Sequence, residues 1–309
     1  MSRPIIVTGS HRSGTTWTGA LLGFSGEALP IHEPFNPAYP RSWFAAPPER
    51  WFESVDATDD RRTAQMRRIV ELRPPILKMA ARSPRPTHLA RVAQEAWRAA
   101  DARRRGRRAL LKDPIAFFSV EWFAETFDAD VVILVRHPAA FASSLKRLSW
   151  QFDFTNLTAQ PALMSTLEPG LAEEVRHAAA QGTDIIDTST LLWRVVNSLA
   201  ARHRDRHPEW TVVRYEDLAA APIEGFASLY ERVGLTWSTR SADAVRAHTS
   251  GDNEASVADG DKGGIVRDSN AAMWTWQDRL TEPEIERVRS ATSDVWVEFY
   301  DETDWTPPQ

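Results

Sequence analysis

Hydrophobic residues in this chain form short continuous runs that alternate with longer segments of helical periodicity. The clearest runs cover residues 5–7, 109–111 and 131–135, and residues 210–218 predict a further strand. Short runs of this kind are typical of parallel strands buried on both faces. Strands that alternate with helices predict one α/β domain over residues 1–309, with a central parallel β-sheet and helices on both of its sides.

The helical segments carry apolar residues three or four positions apart, or are rich in alanine and arginine. They predict helices at residues 59–73, 87–104, 139–150, 171–180, 190–207, 222–234, 239–248 and 282–299. Two segments suggest special roles. Residues 151–186 suggest a lid or an acceptor-side insertion, and the polar, glycine-rich residues 250–270 suggest a flap.

The most informative stretch joins the first apolar run to the first helix. The sequence TGSHRSGTT, residues 8–16, combines two glycines with hydroxylated residues and one arginine. Such a loop before a helix directs backbone N–H groups toward an anion, most often a phosphate. It nearly fits the P-loop pattern G-x-x-x-x-G-K-[ST], but Thr15 replaces the lysine that contacts a triphosphate. This difference argues against an ATP- or GTP-hydrolysing enzyme, although a P-loop kinase or NTPase remains an alternative.

A second candidate phosphate site follows the apolar run 131–135. Arg136 ends that run, Pro138 begins a helix in whose first turn proline is tolerated, and Ser144 lies eight residues after Arg136. An arginine and a hydroxyl group together suit a phosphate dianion. Because both candidate sites follow strands, we expect them to meet at the carboxyl edge of the sheet, where open α/β sheets bind ligands.

These two motifs resemble those of sulfotransferases that use 3′-phosphoadenylyl sulfate (PAPS) as the donor. RSGTTW at residues 12–17 is similar to the 5′-phosphosulfate-binding loop of that family, and Arg136 with Ser144 is similar to its 3′-phosphate site. The resemblance implies a P-loop-like sulfotransferase fold and transfer of a sulfonyl group from PAPS to an acceptor hydroxyl, with PAP as the product. A non-catalytic PAP- or nucleotide-binding protein is the other alternative.

The resemblance also implies which residues contact the donor. Arg12 would stabilise charge on the bridging oxygen as PAP leaves, and Trp17 would stack near the adenine, although a core position fits it equally well. The segment 261–267 resembles in part the family's flap over the 3′-phosphate. The expected donor ligands are Arg12, Ser13, Gly14, Thr15, Thr16, Trp17, Arg136, Ser144, Lys262 and Arg267.

Catalysis also requires a group that removes the proton of the acceptor hydroxyl. Glu33 follows the first helix, where many sulfotransferases that resemble this chain have a glutamate base, and the neighbouring His32 is a weaker candidate. Lys112 ends a predicted strand and could neutralise charge on the sulfonyl group. Pairing of Lys112 with Asp113, or exposure to solvent, is nearly as compatible with the sequence.

Composition excludes several classes of protein. The 309 residues include 42% hydrophobic and 26% charged residues, and the net charge of −5 gives no case for binding nucleic acid. The absence of cysteine excludes disulfides and thiol chemistry. The chain start suggests no signal peptide, and no apolar run is long enough to span a bilayer, so a cytoplasmic protein is expected.

The remaining expectations concern partners. No metal is expected, because the sequence has no evident cluster of metal ligands. The expected partner is a small-molecule or glycan acceptor with a hydroxyl group, and a carbohydrate, a lipid or a small natural product would all be compatible. The arginine-rich segment 61–108 is typical of solvated helix faces, while a basic rim that steers an anionic donor or an acidic acceptor is the alternative. The oligomeric state is not indicated.

Overall fold

Five parallel strands form the central sheet of the computed structural model, which describes residues 3–82, 85–250 and 269–306. In chain order the strands are Ile5–Gly9 (β1), Ala28–His32 (β2), Arg108–Lys112 (β3), Asp130–Val135 (β4) and Thr211–Arg214 (β5). Their order across the sheet is β2-β3-β1-β4-β5, and each neighbouring pair is parallel. The predicted α/β fold with a central parallel sheet is confirmed.

Helices connect the strands and cover the sheet. They are Thr15–Gly23 (α1), Asp60–Val70 (α2), Ile76–Arg82 (α3), Pro86–Arg104 (α4), Val120–Phe127 (α5), Pro138–Leu148 (α6), Thr155–Thr158 (α7), Pro161–Thr166 (α8), Pro169–Gln181 (α9), Ile185–Arg206 (α10), Tyr215–Ala220 (α11), Pro222–Arg232 (α12), Thr239–Thr249 (α13), Ser269–Trp274 (α14), Glu282–Ala291 (α15) and Ser293–Trp296 (α16). Short 3₁₀ helices occupy Pro114–Ser119 and Glu302–Trp305. Within the described ranges, none of these helices combines the length and the apolar character that a membrane span requires.

Two hydrophobic cores lie on opposite faces of the sheet, because successive side chains of a strand alternate between its faces. Ile6 and Ile133 enter the larger core, which also contains apolar residues of α6 and α10. Ile5 and Val132 enter the smaller core, which contains residues of α1 and α12. Both faces of the sheet are therefore covered, as a parallel sheet requires.

The strand β2 is not among those that the apolar runs predict, because it is short and contains Pro30. It lies at the edge of the sheet, where a strand tolerates proline. Its last residue, His32, is in register with Lys112 of β3. This pairing brings Glu33, the residue after β2, to the carboxyl edge of the sheet.

Two helix boundaries also differ from the predicted ones. The helix α10 begins five residues before the predicted start at 190, because the Asp184 side chain caps it by accepting from the N–H groups of Ile186 and Asp187. The predicted final helix 282–299 is divided at Thr292 into α15 and α16. The predicted strand 210–218 is also too long, because β5 ends at Arg214 and the helix α11 begins at Tyr215.

The segment 151–186 contains α7, α8 and α9. Leu157, Leu163 and Val175 of this segment belong to the larger core, so the segment is packed against the sheet domain. Its role as a lid or an acceptor-side insertion stays a prediction. Residues 251–268 of the expected flap, with Lys262 and Arg267, lie outside the described residues.

We expect Gly9→Ala to destabilise the fold strongly. Gly9 has φ of 133°, and a Cβ there would lie 2.2 Å from the carbonyl oxygen of Leu134 in β4. Backbone strain and overpacking together should lower the free energy of unfolding by about 3 kcal/mol. Gly26→Ala is the control, because Gly26 has φ of 75° but no described atom lies within 4 Å of an added Cβ. Urea unfolding compares the two variants, and equal losses would contradict this argument.

Candidate active site

The predicted phosphate loop, residues 10–14, lies at the carboxyl edge of the sheet. It leaves β1 between β3 and β4, which pair with β1 on either side. Arg12 and Gly14 have φ of 65° and 98°, so the loop turns through two left-handed residues. The Ser13 hydroxyl donates to the carbonyl oxygen of Ser10 at 2.6 Å, and the Ser13 N–H donates to the same oxygen at 3.2 Å. These hydrogen bonds fix the turn from within the loop.

The helix α1 begins at Thr15, directly after the loop. The N–H of Thr18 donates to the carbonyl oxygen of Gly14 at 3.0 Å and begins the helical hydrogen bonding. The preceding N–H groups of the first turn have no intrahelical acceptor, and with the helix dipole they form a site suited to an anion. A Cβ at Gly14 would lie 2.6 Å from the Tyr215 ring, which explains the glycine at this position.

Arg136 and Ser144, the predicted second phosphate site, both contact the loop. The Nη1 of Arg136 donates to the carbonyl oxygen of Arg12 at 2.7 Å, and the Nε of Arg12 donates to the Ser144 hydroxyl at 2.9 Å. The guanidinium of Arg136 lies over the ring of Tyr215, 5.1 Å from its centroid. The sheet therefore brings the two predicted phosphate sites together.

The Arg136 side chain also has hydrogen-bonding capacity that an anion would use. It is 8% exposed, and its Nε has no hydrogen-bond partner within the described part of the chain. A buried donor without a partner is costly, and a phosphate oxygen would remove that cost. The residues present therefore fit a phosphate group.

On the other side of the loop, β3 and β2 bring Lys112 and Glu33 together. The Nζ of Lys112 lies 2.5 Å from Oε1 of Glu33, and Nδ2 of Asn36 donates to Oε2 at 2.7 Å. The Nε2 of His32 lies 3.8 Å from Oε2 of Glu33. The sequence left open pairing of Lys112 with Asp113 or exposure to solvent, and neither is observed. Lys112 is buried and pairs with Glu33, while Asp113 accepts from backbone N–H groups.

Residues 4–239 match the model of the Sulfotransferase family. The chain belongs to this family. The matched span includes the loop, the Lys112–Glu33 pair, Arg136 and Ser144. Comparison with curated protein sequences gives no match for this sulfotransferase.

Solved structures similar to this chain include two sulfotransferase domains. The sulfotransferase domain from the curacin biosynthetic pathway is 14% identical, with a TM-score of 0.48 and coverage of 95% of this chain and 98% of that one. The sulfotransferase domain of a Synechococcus olefin synthase is 17% identical, with a TM-score of 0.48 and coverage of 97% of both chains. A sulfotransferase from Mycobacterium avium is 16% identical, with a TM-score of 0.45 and coverage of 97% of this chain and 77% of that one.

The charge of Glu33 depends on its cationic neighbour in this sulfotransferase. Burial acts to raise the pKa of Glu33, but the Lys112 ammonium and the hydrogen bonds from Lys112 and Asn36 together hold it below its ordinary value. The carboxylate is therefore ionised at neutral pH, as a general base must be. Burial and the charge of Lys112 lower the pKa of His32 to about 4, so its imidazole is uncharged.

Asp113 is a residue of the site whose role the sequence analysis missed. Its Oδ2 accepts from the N–H of Phe35 at 2.6 Å, and its Oδ1 accepts from the N–H of Ile115 at 3.0 Å. Asp113 thus fastens the loop that carries Glu33 to the end of β3. An aspartate followed by proline before a helical turn is a capping signal that could have indicated this role. The sequence has no comparable signal for Asn36, which donates to the Glu33 carboxylate.

Burial also gives Asp113 the opposite electrostatic character from Glu33. Asp113 is fully buried. Burial, and secondly the charge of Glu33, raise the pKa of Asp113 to about 8. At neutral pH Asp113 is therefore mainly protonated, which leaves Glu33 as the ionised carboxylate beside Lys112.

Trp17 lies in the smaller core. Its side chain is 3% exposed, and its ring packs edge-on against Phe226 at 5.0 Å and near Tyr215 at 5.5 Å between centroids. Of the two positions that the sequence left open for Trp17, this is the core position. A contact with the adenine stays a prediction.

His11, within the loop, is a structural residue. Its ring packs on Trp150 at 4.1 Å and on Phe141 at 5.3 Å between centroids. Burial, and secondly the charge of Arg12, lower the pKa of His11 to about 3. The uncharged ring therefore anchors the loop to Phe141 and Trp150 and does not serve as an acid near neutral pH.

One group of potential metal ligands occurs among the described residues, although the sequence suggested none. Glu121, His203 and His207 place ligand atoms within 4.8 Å of one another. The same Glu121 carboxylate also lies 3.0 Å from Arg206, which already supplies a positive charge. We assign no metal to this group, and the expectation that the reaction needs none stays a prediction.

Asp113→Asn tests the ionisation of the buried carboxyl. The folded pKa of about 8 exceeds the ordinary value of 3.8, so protonated Asp113 stabilises the fold at low pH. That contribution is complete below the unfolded pKa and is lost as the pH rises through the folded pKa. We therefore expect the unfolding free energy of the wild type, relative to Asp113→Asn, to fall from about pH 4 to pH 8.

Denaturant unfolding at several pH values measures this difference. Asp128→Asn is the control, because the Asp128 side chain is 81% exposed. Parallel pH profiles for the wild type and Asp113→Asn would show that Asp113 does not titrate in this range.

Proposed function

We propose that this sulfotransferase moves a sulfonyl group from PAPS to the hydroxyl group of a small-molecule or glycan acceptor, with Glu33 as the general base. The observation that carries the proposal is the arrangement along the carboxyl edge of the sheet. Glu33 and Lys112 lie on the β3 side of the loop, whereas Arg136 and Ser144 lie on the β4 side. This separation suits an acceptor on one side and the 3′-phosphate of the donor on the other.

The 5′-phosphosulfate of the donor would lie on the loop and on the start of α1. The backbone N–H groups of residues 12–16 and the hydroxyls of Thr15 and Thr16 would supply hydrogen bonds, while Ser13 and Gly14 shape the turn. Arg136 and Ser144 would bind the 3′-phosphate through charge-assisted hydrogen bonds. Arginine, lysine and backbone donors together supply the positive potential, so the mechanism does not call for a metal.

The transfer step is an in-line substitution at sulfur. A bond forms between the acceptor oxygen and sulfur while the bond from sulfur to the bridging oxygen breaks, and the acceptor proton passes to Glu33. Arg12 would stabilise the negative charge that grows on the bridging oxygen of PAP. Lys112 would neutralise charge on the sulfonyl oxygens.

The contact between Lys112 and Glu33 would connect donor binding to the strength of the base. At 2.5 Å, Lys112 contributes to the low pKa of Glu33 and makes the carboxylate a weak base. A sulfonyl group that attracts Lys112 would weaken this contact, and the burial of Glu33 would then raise its pKa. A base with a higher pKa removes a hydroxyl proton more readily.

The alternatives have less support. A kinase or NTPase would need a cation where Thr15 stands, and the family match gives it no support. A non-catalytic PAP-binding protein would have no use for a largely buried carboxylate held by Lys112 and Asn36 beside the loop. The cytoplasmic location and the lack of a nucleic-acid partner stay predictions.

Calorimetric titration of PAP into the metal-free protein tests the donor site. We expect PAP to bind, and Arg136→Ala to weaken binding by about 10- to 100-fold, because it removes a charged hydrogen-bond donor. The exposed Arg176, which pairs with Glu173, provides the control Arg176→Ala. Thermal unfolding of each variant checks that the fold is retained. ATP with magnesium binding more tightly than PAP would overturn the proposed function.

Glu33→Gln tests the base. We expect it to lower kcat by about 10²- to 10⁴-fold while PAP affinity is unchanged, because general-base catalysis contributes about that much. His32→Gln should retain most of the activity. Transfer from labelled PAPS to an acceptor measures both variants. Loss of activity in His32→Gln with an active Glu33→Gln would instead assign the base to His32.

A further inference from the structure

A pocket of about 290 Å³ lies between the outer edge of β2, the loop that follows it and α4. Its lining includes Pro30 and His32 of β2, Tyr39 and Arg41 of the loop, and Arg91 and Arg98 of α4. We call it the β2–α4 pocket. It lies on the side of the sheet away from Arg136, because β2 and β4 are on opposite sides of β1.

The pocket adjoins the proposed general base. His32 lines the pocket, and its Nε2 lies 3.8 Å from Oε2 of Glu33. The His32 ring also packs edge-on against Tyr39, with centroids 4.9 Å apart. A molecule in the pocket that reaches past His32 would therefore meet the carboxylate that accepts the proton.

One acidic side chain in the pocket is already neutralised. Glu95 accepts from Nε of Arg41 at 3.0 Å and from Nε1 of Trp43 at 3.1 Å. Arg41 also donates to the Tyr39 hydroxyl at 2.9 Å. Glu95 and Arg41 therefore form a fixed, neutral pair in the wall of the pocket.

Arg91 and Arg98 give the pocket an excess of positive charge. They lie seven residues apart, about two turns of α4, and so share one face of the helix. Both are exposed. Within the described ranges neither arginine forms a hydrogen bond or an ion pair, whereas the neighbouring Arg41 does. Two unpaired guanidinium groups in the lining of a pocket suit a carboxylate or a phosphate.

We propose that the β2–α4 pocket binds the acceptor, and that the acceptor is a small hydroxyl compound that carries a carboxylate or phosphate group held by Arg91 and Arg98. This inference rests on the proposed function. The pocket volume of about 290 Å³ lies just below the usual range for ligand pockets, about 300–1,000 Å³, and suits a molecule the size of one sugar unit. The imidazole of His32 is uncharged, so Arg91 and Arg98 are the groups that would attract the anionic group of the acceptor.

Transfer from labelled PAPS to matched pairs of acceptors tests the inference. The pairs are glucose 6-phosphate with glucose, and glucuronate with its neutral amide, so that phosphate and carboxylate are each compared with an uncharged counterpart. We expect the wild type to prefer the anionic member of at least one pair by about tenfold in kcat/KM, as one charged hydrogen bond would provide. The preferred pair identifies the anion.

The double variant Arg91→Gln with Arg98→Gln should abolish this preference by raising KM for the anionic acceptor, with little change in kcat or in PAP affinity. Arg61→Gln with Arg68→Gln is the matched control, because it removes the same charge from exposed positions of the nearby helix α2, outside the pocket lining. The control should keep the preference of the wild type.

The outcomes separate the two proposals. If PAP binds but neither pair shows an anionic preference, or if the double variant keeps that preference, the acceptor inference is wrong and the proposed function stands. If the control loses the preference as well, the effect is one of net charge, and the assignment to the pocket is wrong. If PAP does not bind, the proposed function fails and the acceptor inference fails with it.

Discussion

The parallel pairing of β1 with β3 on one side and β4 on the other is the constraint on which the candidate site depends. Val7 of β1 is in register with Lys112, and Gly9 is in register with Leu134, two residues before Arg136. A cation therefore lies on each side of the loop that leaves β1. A slip of one residue in either pairing would turn these side chains toward the opposite face of the sheet. Strand register alone therefore places these site residues, without a contribution from a ligand.

Two neighbouring carboxyl groups acquire opposite properties from their surroundings. Glu33 has an ammonium partner and stays ionised, whereas Asp113 is fully buried, accepts from backbone N–H groups and has a raised pKa. Such a separation of pKa values is how a protein assigns different tasks to similar groups. Asp113 fastens the loop through backbone N–H groups, whereas Glu33 is held by side-chain contacts with Lys112 and Asn36.

Local patterns predicted much of this arrangement, but they did not predict pairing. The run 131–135 predicts a buried strand, and the glycine-bounded loop predicts a turn, because both depend on the types of consecutive residues. The strand β2 was missed because Pro30 obscures it and its stability comes from β3. The contact of Lys112 with Glu33 joins residues 79 positions apart, so it follows from the order of strands and not from spacing. The β2–α4 pocket depends on the same long-range order.

The hydrogen bonds of Arg12 connect the two predicted phosphate sites directly. Arg136 holds the backbone of Arg12, and Arg12 in turn holds the hydroxyl of Ser144. A ligand bound to Arg136 would therefore also influence the conformation of the loop, because Arg136 contacts the backbone of Arg12. On the proposed function, donor groups at the two sites would be coupled through these contacts, and any such coupling would be reciprocal. On the proposed function, the 3′-phosphate of the donor would serve partly as an activator that orders the groups around the reacting sulfur.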